Sequence, residues 1–123
     1  MIKLSFCLRR RGELSREEFQ AYWFDKHAPL VRANQEALAI RRYVQVHTKD
    51  DPLNETLQSG RGGPEPYDGI AELWWDSIES LTEAMDTAAG QVAALVLLED
   101  EMKFIDLANS PLWIGEERVV IDG

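Results

Sequence analysis

The sequence predicts an α+β domain of the ferredoxin-like, split βαβ type, with a four-stranded antiparallel sheet and its helices on one face. Three observations carry that prediction. Four segments read as strands and two regions have apolar residues at three- and four-residue steps. These follow one another as strand, helix, strand, strand, helix, strand. The chain has 123 residues, 45% hydrophobic and 28% charged, which suits one folded domain over residues 1–123 with no repeat or linker.

From Ile2 to Arg9, apolar Ile2, Leu4, Phe6 and Leu8 alternate with Lys3, Ser5, Cys7 and Arg9, the period of a first strand. Gly12 breaks it. Ser15 stands three residues before Glu18, the capping-box spacing, in which each residue satisfies the other's end of the helix. Phe19, Tyr22, Trp23, Lys26, His27 and Leu30 then share one helix face. Pro29 lacks a backbone donor and disfavours the helical state of Ala28, so a kink or a fresh start is expected after His27.

Ile40 to Lys49 reads as the second strand, with Tyr43, Gln45 and His47 on one face. Asp50 to Pro66 holds three prolines and little apolar content, and is expected to be a long mobile loop covering a pocket mouth. Tyr67 to Asp76 is the third strand, its faces divided between Gly69, Ala71, Leu73, Trp75 and Ile70, Glu72, Trp74. Ser77 caps a second helical region with Ile78, Leu81, Thr82 and Met85 as its stripe, and Gly90 divides it. Beyond Gly90, Leu95, Leu98, Met102 and Ile105 recur at helical steps as far as about Leu107, with Asp100 on a neighbouring stripe. Leu112 to Asp122 is the fourth strand.

Thirteen Lys and Arg against twenty-two Asp and Glu leave a net charge of −9. An acidic surface repels phosphate backbones, so neither nucleic acid nor an anionic membrane is an expected partner. Arg9-Arg10-Arg11 and Arg41-Arg42 are too short to reverse this. Cys7 is the only cysteine, which excludes an internal disulfide and a cysteine-based metal cluster and fits a cytoplasmic address. The first residues lack the pattern of a signal peptide, and the longest apolar run, Val92 to Leu98, is far short of a membrane span.

The same sequence lacks a phosphate-binding loop, a nucleophile elbow and metal-ligand spacing; two histidines are too few for a histidine metal cluster. What remains is His27. On an apolar stripe, burial favours its neutral ring, which can accept a proton at neutral pH. The alternative is a helix-terminating histidine bonded to a backbone carbonyl. Tyr43 offers either a hydrogen bond to a substrate oxygen or ordinary aromatic packing. His47 lies four residues on, on the same face. Asp100 either orients a histidine or caps a helix at the surface. The sheet face bearing Glu72 and Trp74 has no helix left to cover it, which predicts a sheet-to-sheet homodimer.

Several stretches together resemble the EthD-domain family. They are Arg9-Arg10-Arg11-Gly12, Leu14 to Phe19, Tyr22-Trp23, His27-Ala28-Pro29-Leu30-Val31, Arg42-Tyr43, Tyr67 to Trp74, and Asp100-Glu101 with Phe104-Ile105-Asp106. The resemblance spans nearly the whole chain and implies a dimeric α/β barrel with a pocket between sheet and helices. In the isomerase-like branch of that family, residues matching His27 and Tyr43 belong to the active site, while an active-site cysteine corresponds to Leu73 here. The resemblance therefore implies that the Leu73 face lines the pocket. The expected site has His27 and Tyr43 as catalytic residues. Phe6, Trp23, His47, Leu73 and Trp75 are expected to contact substrate.

The expected function is a small cofactor-independent enzyme, needing no metal, that moves protons beside a carbonyl of a small cyclic or aromatic compound by isomerisation, dehydration, cyclisation or decarboxylation. The alternative is a non-catalytic ligand-binding accessory of a monooxygenase-linked degradation pathway.

Overall fold

The computed structural model describes residues 1–123. Its strands are β1 (Ile2–Leu8), β2 (Arg42–His47), β3 (Gly69–Trp75) and β4 (Leu112–Gly115). They form one sheet in the order β2-β3-β1-β4, antiparallel throughout. The helices are α1 (Arg16–Tyr22), α2 (Ala28–Ala33), α3 (Pro52–Arg61), α4 (Ile78–Asp86) and α5 (Ala88–Glu101). The ferredoxin-like arrangement follows from the order of elements, with α3 added between β2 and β3.

Register sets the two sheet faces. Leu4, Leu73 and Tyr43 lie abreast, as do Phe6, Ala71 and Gln45, and these face the helices. Phe6, Leu8, Phe19, Trp23, Ala71, Phe104 and Ile105 form the main core. Val31, Leu38, Ile40, Trp75, Ala93 and Leu97 form a second cluster, and Leu4, Tyr43 and Leu73 pack against both. At the crowded centre, a Cβ added at Gly69 would fall 2.4 Å from Trp23 Cζ3 and 2.9 Å from the Val46 carbonyl oxygen. Gly69→Ala is therefore expected to cost about 1–3 kcal/mol, read as a lower denaturant midpoint at unchanged slope.

The capping box of α1 is present: the Glu18 N–H donates to Ser15 Oγ and the Ser15 N–H to Glu18 Oε1, each at 3.0 Å. After Tyr22 the helix widens into a π turn, Trp23–His27, and α2 starts afresh at Ala28 with Pro29 in its first turn. This is the break that proline imposes, and such turns recur at functional sites. The Arg9–Arg11 run has a structural use. Buried Asp68 accepts from the Arg10 N–H (2.8 Å), Arg10 Nη1 (2.5 Å) and Arg16 Nε (3.0 Å), which ties β1 and α1 to the start of β3. Burial alone would raise its pKa, but these bonds hold the carboxyl below its ordinary value.

Five expectations need correction. The segment from Asp50 to Pro66 is not a mobile loop, because α3 occupies its middle. Asp51 accepts from the Leu53 N–H at 2.8 Å, Pro52 takes the first turn, and Gly62 closes the helix at φ 62°. Those are helix start and stop signals; proline and glycine punctuate a helix here. The second helical region divides at Thr87, not Gly90. Thr87 Oγ1 accepts from the Gly90 N–H at 2.9 Å, and α4 and α5 meet at 95°. Gly90 permits the approach, since a Cβ there would lie 1.8 Å from the Ala84 carbonyl oxygen. The buried side of α5 is Gly90, Ala93, Leu97 and Asp100, while Leu95, Leu98 and Met102 point outward. This helix is apolar nearly all round, so periodicity alone does not select its inner face.

The fourth strand ends at Gly115 rather than Asp122. Beyond it Val119, Val120 and Ile121 are 75%, 91% and 89% exposed, because the sheet of a single chain gives them nothing to pair with. Nor is Trp74 uncovered. Lys3 and Arg42 lie over its ring, its indole N–H donates to Glu117, and Lys3 also pairs with Glu72. On that outer face the exposed apolar residues are Val46 and Trp113.

Candidate active site

His27 closes the π turn and Asp100 ends the inner stripe of α5, which brings two residues 73 positions apart into contact. The His27 ring is 5% exposed and lies 5.1 Å from the Phe104 ring. Its Nδ1 is 2.7 Å from Asp100 Oδ2, while the Tyr22 hydroxyl donates to Asp100 Oδ1 at 2.6 Å. Burial would raise the Asp100 pKa, yet the bonds from Tyr22 and His27 and the charge of Lys103, 3.5 Å away, hold it low. An ionised carboxylate only accepts, so the proton of neutral His27 sits on Nδ1 and Nε2 keeps its lone pair.

Nε2 makes no hydrogen bond within the chain. No side-chain nitrogen or oxygen is both sealed from solvent and unpartnered, so Nε2 opens onto accessible space. Burial lowers the His27 pKa and Asp100 works against it, with burial prevailing. The ring is thus a neutral base at neutral pH. Asp100 also pushes Tyr22 up to about 12, so Tyr22 stays a donor and locks the carboxylate in place. This is a carboxylate–histidine pair in the arrangement that fixes tautomer and ring orientation.

A second hydrogen-bonded chain runs along β2. Gln45 Nε2 donates to the Trp23 carbonyl (3.0 Å) and to the Tyr43 hydroxyl (2.8 Å). A carbonyl can only accept, which fixes the orientation of the amide, and Gln45 Oε1 then accepts from His47 Nε2 at 2.7 Å. Because the Tyr43 oxygen accepts from Gln45, its own O–H is left to donate elsewhere. Burial raises the Tyr43 pKa and keeps the hydroxyl neutral. His47, its pKa lowered by burial, stacks on Trp23 at 4.5 Å and 23°, with Phe24 edge-on at 6.0 Å. A cleft of about 400 Å³ opens here, lined by Phe24, Val31, Ile40, Tyr43, Gln45 and His47 among others. No residue of the 50–66 segment lines it; Asp50, Asn54 and Gln58 instead face a separate polar cleft with Arg9, Arg10 and Arg16.

Of the residues singled out from sequence, Phe6 and Trp23 lie in the main core, and His27 touches it through Phe104. Tyr43 and Leu73 bridge the two clusters, and His47 sits at the cleft. Trp75 stands apart in the second cluster, its indole N–H donating to the Leu38 carbonyl at 2.7 Å. Asp100 is buried against His27 rather than capping the helix at the surface. Sequence reasoning assigned no role to Gln45 or Glu101. Glu101 is a partly buried carboxyl at the end of α5, with no ion pair or side-chain hydrogen bond; burial first, and then the charge of Asp100, push its pKa up to about 7. No group of three or more His, Cys, Asp or Glu side chains is placed to hold a metal ion, and no single helix is long and apolar enough to cross a membrane.

Fold and site together define a ferredoxin-like α+β protein with an oriented histidine between helices and sheet. The EthD domain profile matches residues 11–108, and the chain belongs to that family. An EthD-family protein from Bacillus halodurans is 28% identical with a TM-score of 0.62, over 96% of this chain and 99% of that one. Two more distant structures share the fold. An EthD-like protein from Ralstonia eutropha is 20% identical (TM-score 0.59; 99% of this chain, 94% of the other). SnoaB, a cofactor-independent oxygenase from Streptomyces nogalater, is 11% identical (TM-score 0.55; 99% and 97%). No curated protein matches the sequence.

Proposed function

We propose that this chain is a cofactor-independent acid–base enzyme acting on a small cyclic or aromatic carbonyl compound. His27 Nε2 is its general base and Tyr43 donates a hydrogen bond to the substrate oxygen. The observation that carries the reading is the His27–Asp100 pair, with its free Nε2 lone pair opening onto accessible space. Removal of a proton beside a carbonyl moves charge onto the oxygen as the enolate forms. The Tyr43 O–H, already accepting from Gln45, is set to stabilise that charge. Phe6, Trp23 and Leu73 supply apolar walls, with His47 at the mouth. A positioned base contributes about 100- to 10,000-fold, enough for an activated C–H bond and too little for an inert one. The test is deuterium wash-in beside the carbonyl of small cyclic ketones in deuterium oxide, followed by NMR. Acceleration by the protein supports the reading; ligand binding without any exchange assigns the chain to the accessory role.

The working unit in this reading is a homodimer. Support comes from Val119, Val120, Ile121, Trp113 and Val46, apolar side chains that a single chain leaves in water. A second copy is the occupant that covers the outer sheet face and the extended tail together. Sedimentation at micromolar concentration should give twice the mass of one chain, and Trp113→Asp should shift the equilibrium toward the single chain. A wild-type protein that sediments as one chain at that concentration defeats the dimer.

A further inference from the structure

We propose that the cleft between α2 and β2 binds a ring-bearing carboxylic acid, its carboxylate paired with Arg32 and its ring held against Phe24 and His47. Calling this acid the substrate rests on the acid–base reading above; its binding does not.

The charge of the lining carries the argument. The chain as a whole has thirteen Lys and Arg against twenty-two Asp and Glu. Yet the 11 residues around this cleft of about 400 Å³ include Arg32, Arg41 and Arg42 and no acid. A cleft lined by one sign of charge concentrates ligands of the other. The larger cleft beside Arg9 and Arg16 is different, since Asp50, Asp51, Glu55, Glu65 and Asp68 balance its bases.

Two of the three arginines have partners. Arg41 Nε lies 3.3 Å from Asp76 Oδ1, and the Arg42 guanidinium sits 5.0 Å from the Trp74 ring centre. Arg32 is exposed, one turn after Ala28 on the α2 wall of the cleft, and has neither an ion pair nor a side-chain hydrogen bond. Its guanidinium keeps all five N–H donors, in the fork that grips a carboxylate through two parallel bonds.

The rest of the cleft selects a ring. Val31 and Ile40 supply apolar surface, and Phe24, 63% exposed, stands edge-on to His47. An aromatic side chain left in water beside an unpaired guanidinium complements a ligand with an apolar body and an anionic end. Tyr43 lines the same cleft, and its oxygen already accepts from Gln45. One ligand can therefore meet Arg32 through its carboxylate and Tyr43 through a carbonyl oxygen.

The acid 3-oxocyclohexane-1-carboxylate and its uncharged carboxamide differ in charge and little in shape. Calorimetry at low salt should show the wild type binding the acid about 10- to 100-fold more tightly, the range of a hydrogen bond to a charged group. Arg32→Gln should lower the affinity for the acid to that for the amide, leave the amide unchanged, and melt as the wild type does. Arg32→Lys should keep part of the preference, because it retains the charge without the fork. Equal affinities for acid and amide in the wild type overturn the proposal, as does binding of neither at millimolar concentration. A preference that survives in Arg32→Gln while its melting temperature falls also overturns it, and leaves Arg32 to the dipole of α2, whose last turn it occupies. Phenyl phosphate binding more tightly than benzoate overturns the carboxylate. Deuterium exchange beside the carbonyl of both ketones keeps the two readings apart. Acid bound through Arg32 without exchange defeats the enzyme and leaves the site; exchange of both compounds at equal affinity defeats the site and leaves the enzyme.

Discussion

Replacing His27 by glutamine is expected to leave a folded protein whose proton exchange at carbon falls by about 100- to 10,000-fold, the range a positioned acid–base group supplies. The side-chain amide of the introduced glutamine has a nitrogen to offer Asp100, so the buried carboxylate keeps a donor in place of His27 Nδ1. An amide has no basic lone pair at neutral pH, so nothing replaces Nε2. Melting temperature and exchange rate therefore separate. His27→Ala behaves differently, since it leaves Asp100 short of a donor and removes the ring packed on Phe104; a stability loss of about 1–3 kcal/mol is expected there. Tyr43→Phe should lose less activity than His27→Gln, because the base remains and only the stabilisation of the oxygen is reduced. Full activity in His27→Gln would return His27 to a packing role.

Wild type and His27→Gln also differ with pH. The folded-state pKa of His27 lies below its unfolded value of about 6.5, so the unfolded chain binds more protons once pH drops beneath that value. The contribution of the neutral ring is complete above about pH 6.5 and is lost as pH falls through the folded pKa. Glu101 has the opposite sign. Its folded pKa of about 7 lies above its ordinary value of 4.5, so its contribution is greatest below pH 4.5 and declines as pH rises toward 7. Partial cancellation between these slopes is expected in the wild type, and His27→Gln should expose the Glu101 slope by itself.

Much of this arrangement is legible where one period dominates. The two-residue alternation of β1 and β3 fixes which side chains face the helices. Ser15, Glu18 and Pro29 fix where α1 begins and where its continuation restarts. On α5 the signal fails, because Leu95, Leu98 and Met102 compete with Ala93, Leu97 and Phe104 as an apolar stripe, and only contact with the sheet decides between them. Sequence spacing puts Asp100 on a neighbouring stripe, which is the buried one. Its bond to His27 joins residues 73 positions apart, a distance at which local spacing carries no information. Gln45 falls on the correct strand face, but its role depends on the Trp23 carbonyl, which accepts from the Ala28 N–H of the π turn and from Gln45 as well. The α3 helix escapes a sequence reading for a different reason. Asp51, Pro52 and Gly62 are cap signals as well as loop residues, and composition outweighs their order.

Asp100→Asn is expected to lower both stability and turnover, through two separable effects. Asp100 accepts from two donors, Tyr22 at 2.6 Å and His27 at 2.7 Å, while asparagine has one acceptor oxygen and one donor nitrogen. If the oxygen keeps Tyr22, the nitrogen faces His27 Nδ1. The ring then moves its proton to Nε2 so that Nδ1 can accept. That tautomer presents N–H where the mechanism needs a lone pair, and a loss of about 100- to 10,000-fold in exchange follows. Nitrogen NMR of the imidazole reads the change directly, as a protonated Nε2 in the variant against a protonated Nδ1 in the wild type. The stability loss should be about 1–3 kcal/mol near neutral pH, from charge-assisted bonds replaced by weaker ones. Its pH dependence has a definite sign. The folded pKa of Asp100 lies below its unfolded value of about 3.9, so its contribution is complete above that value and disappears as pH falls through the folded pKa. Urea midpoints of wild type and variant should therefore converge below about pH 4. A constant gap down to about pH 2, or an unchanged Nδ1 proton in the variant, would show that Asp100 fills space without orienting His27.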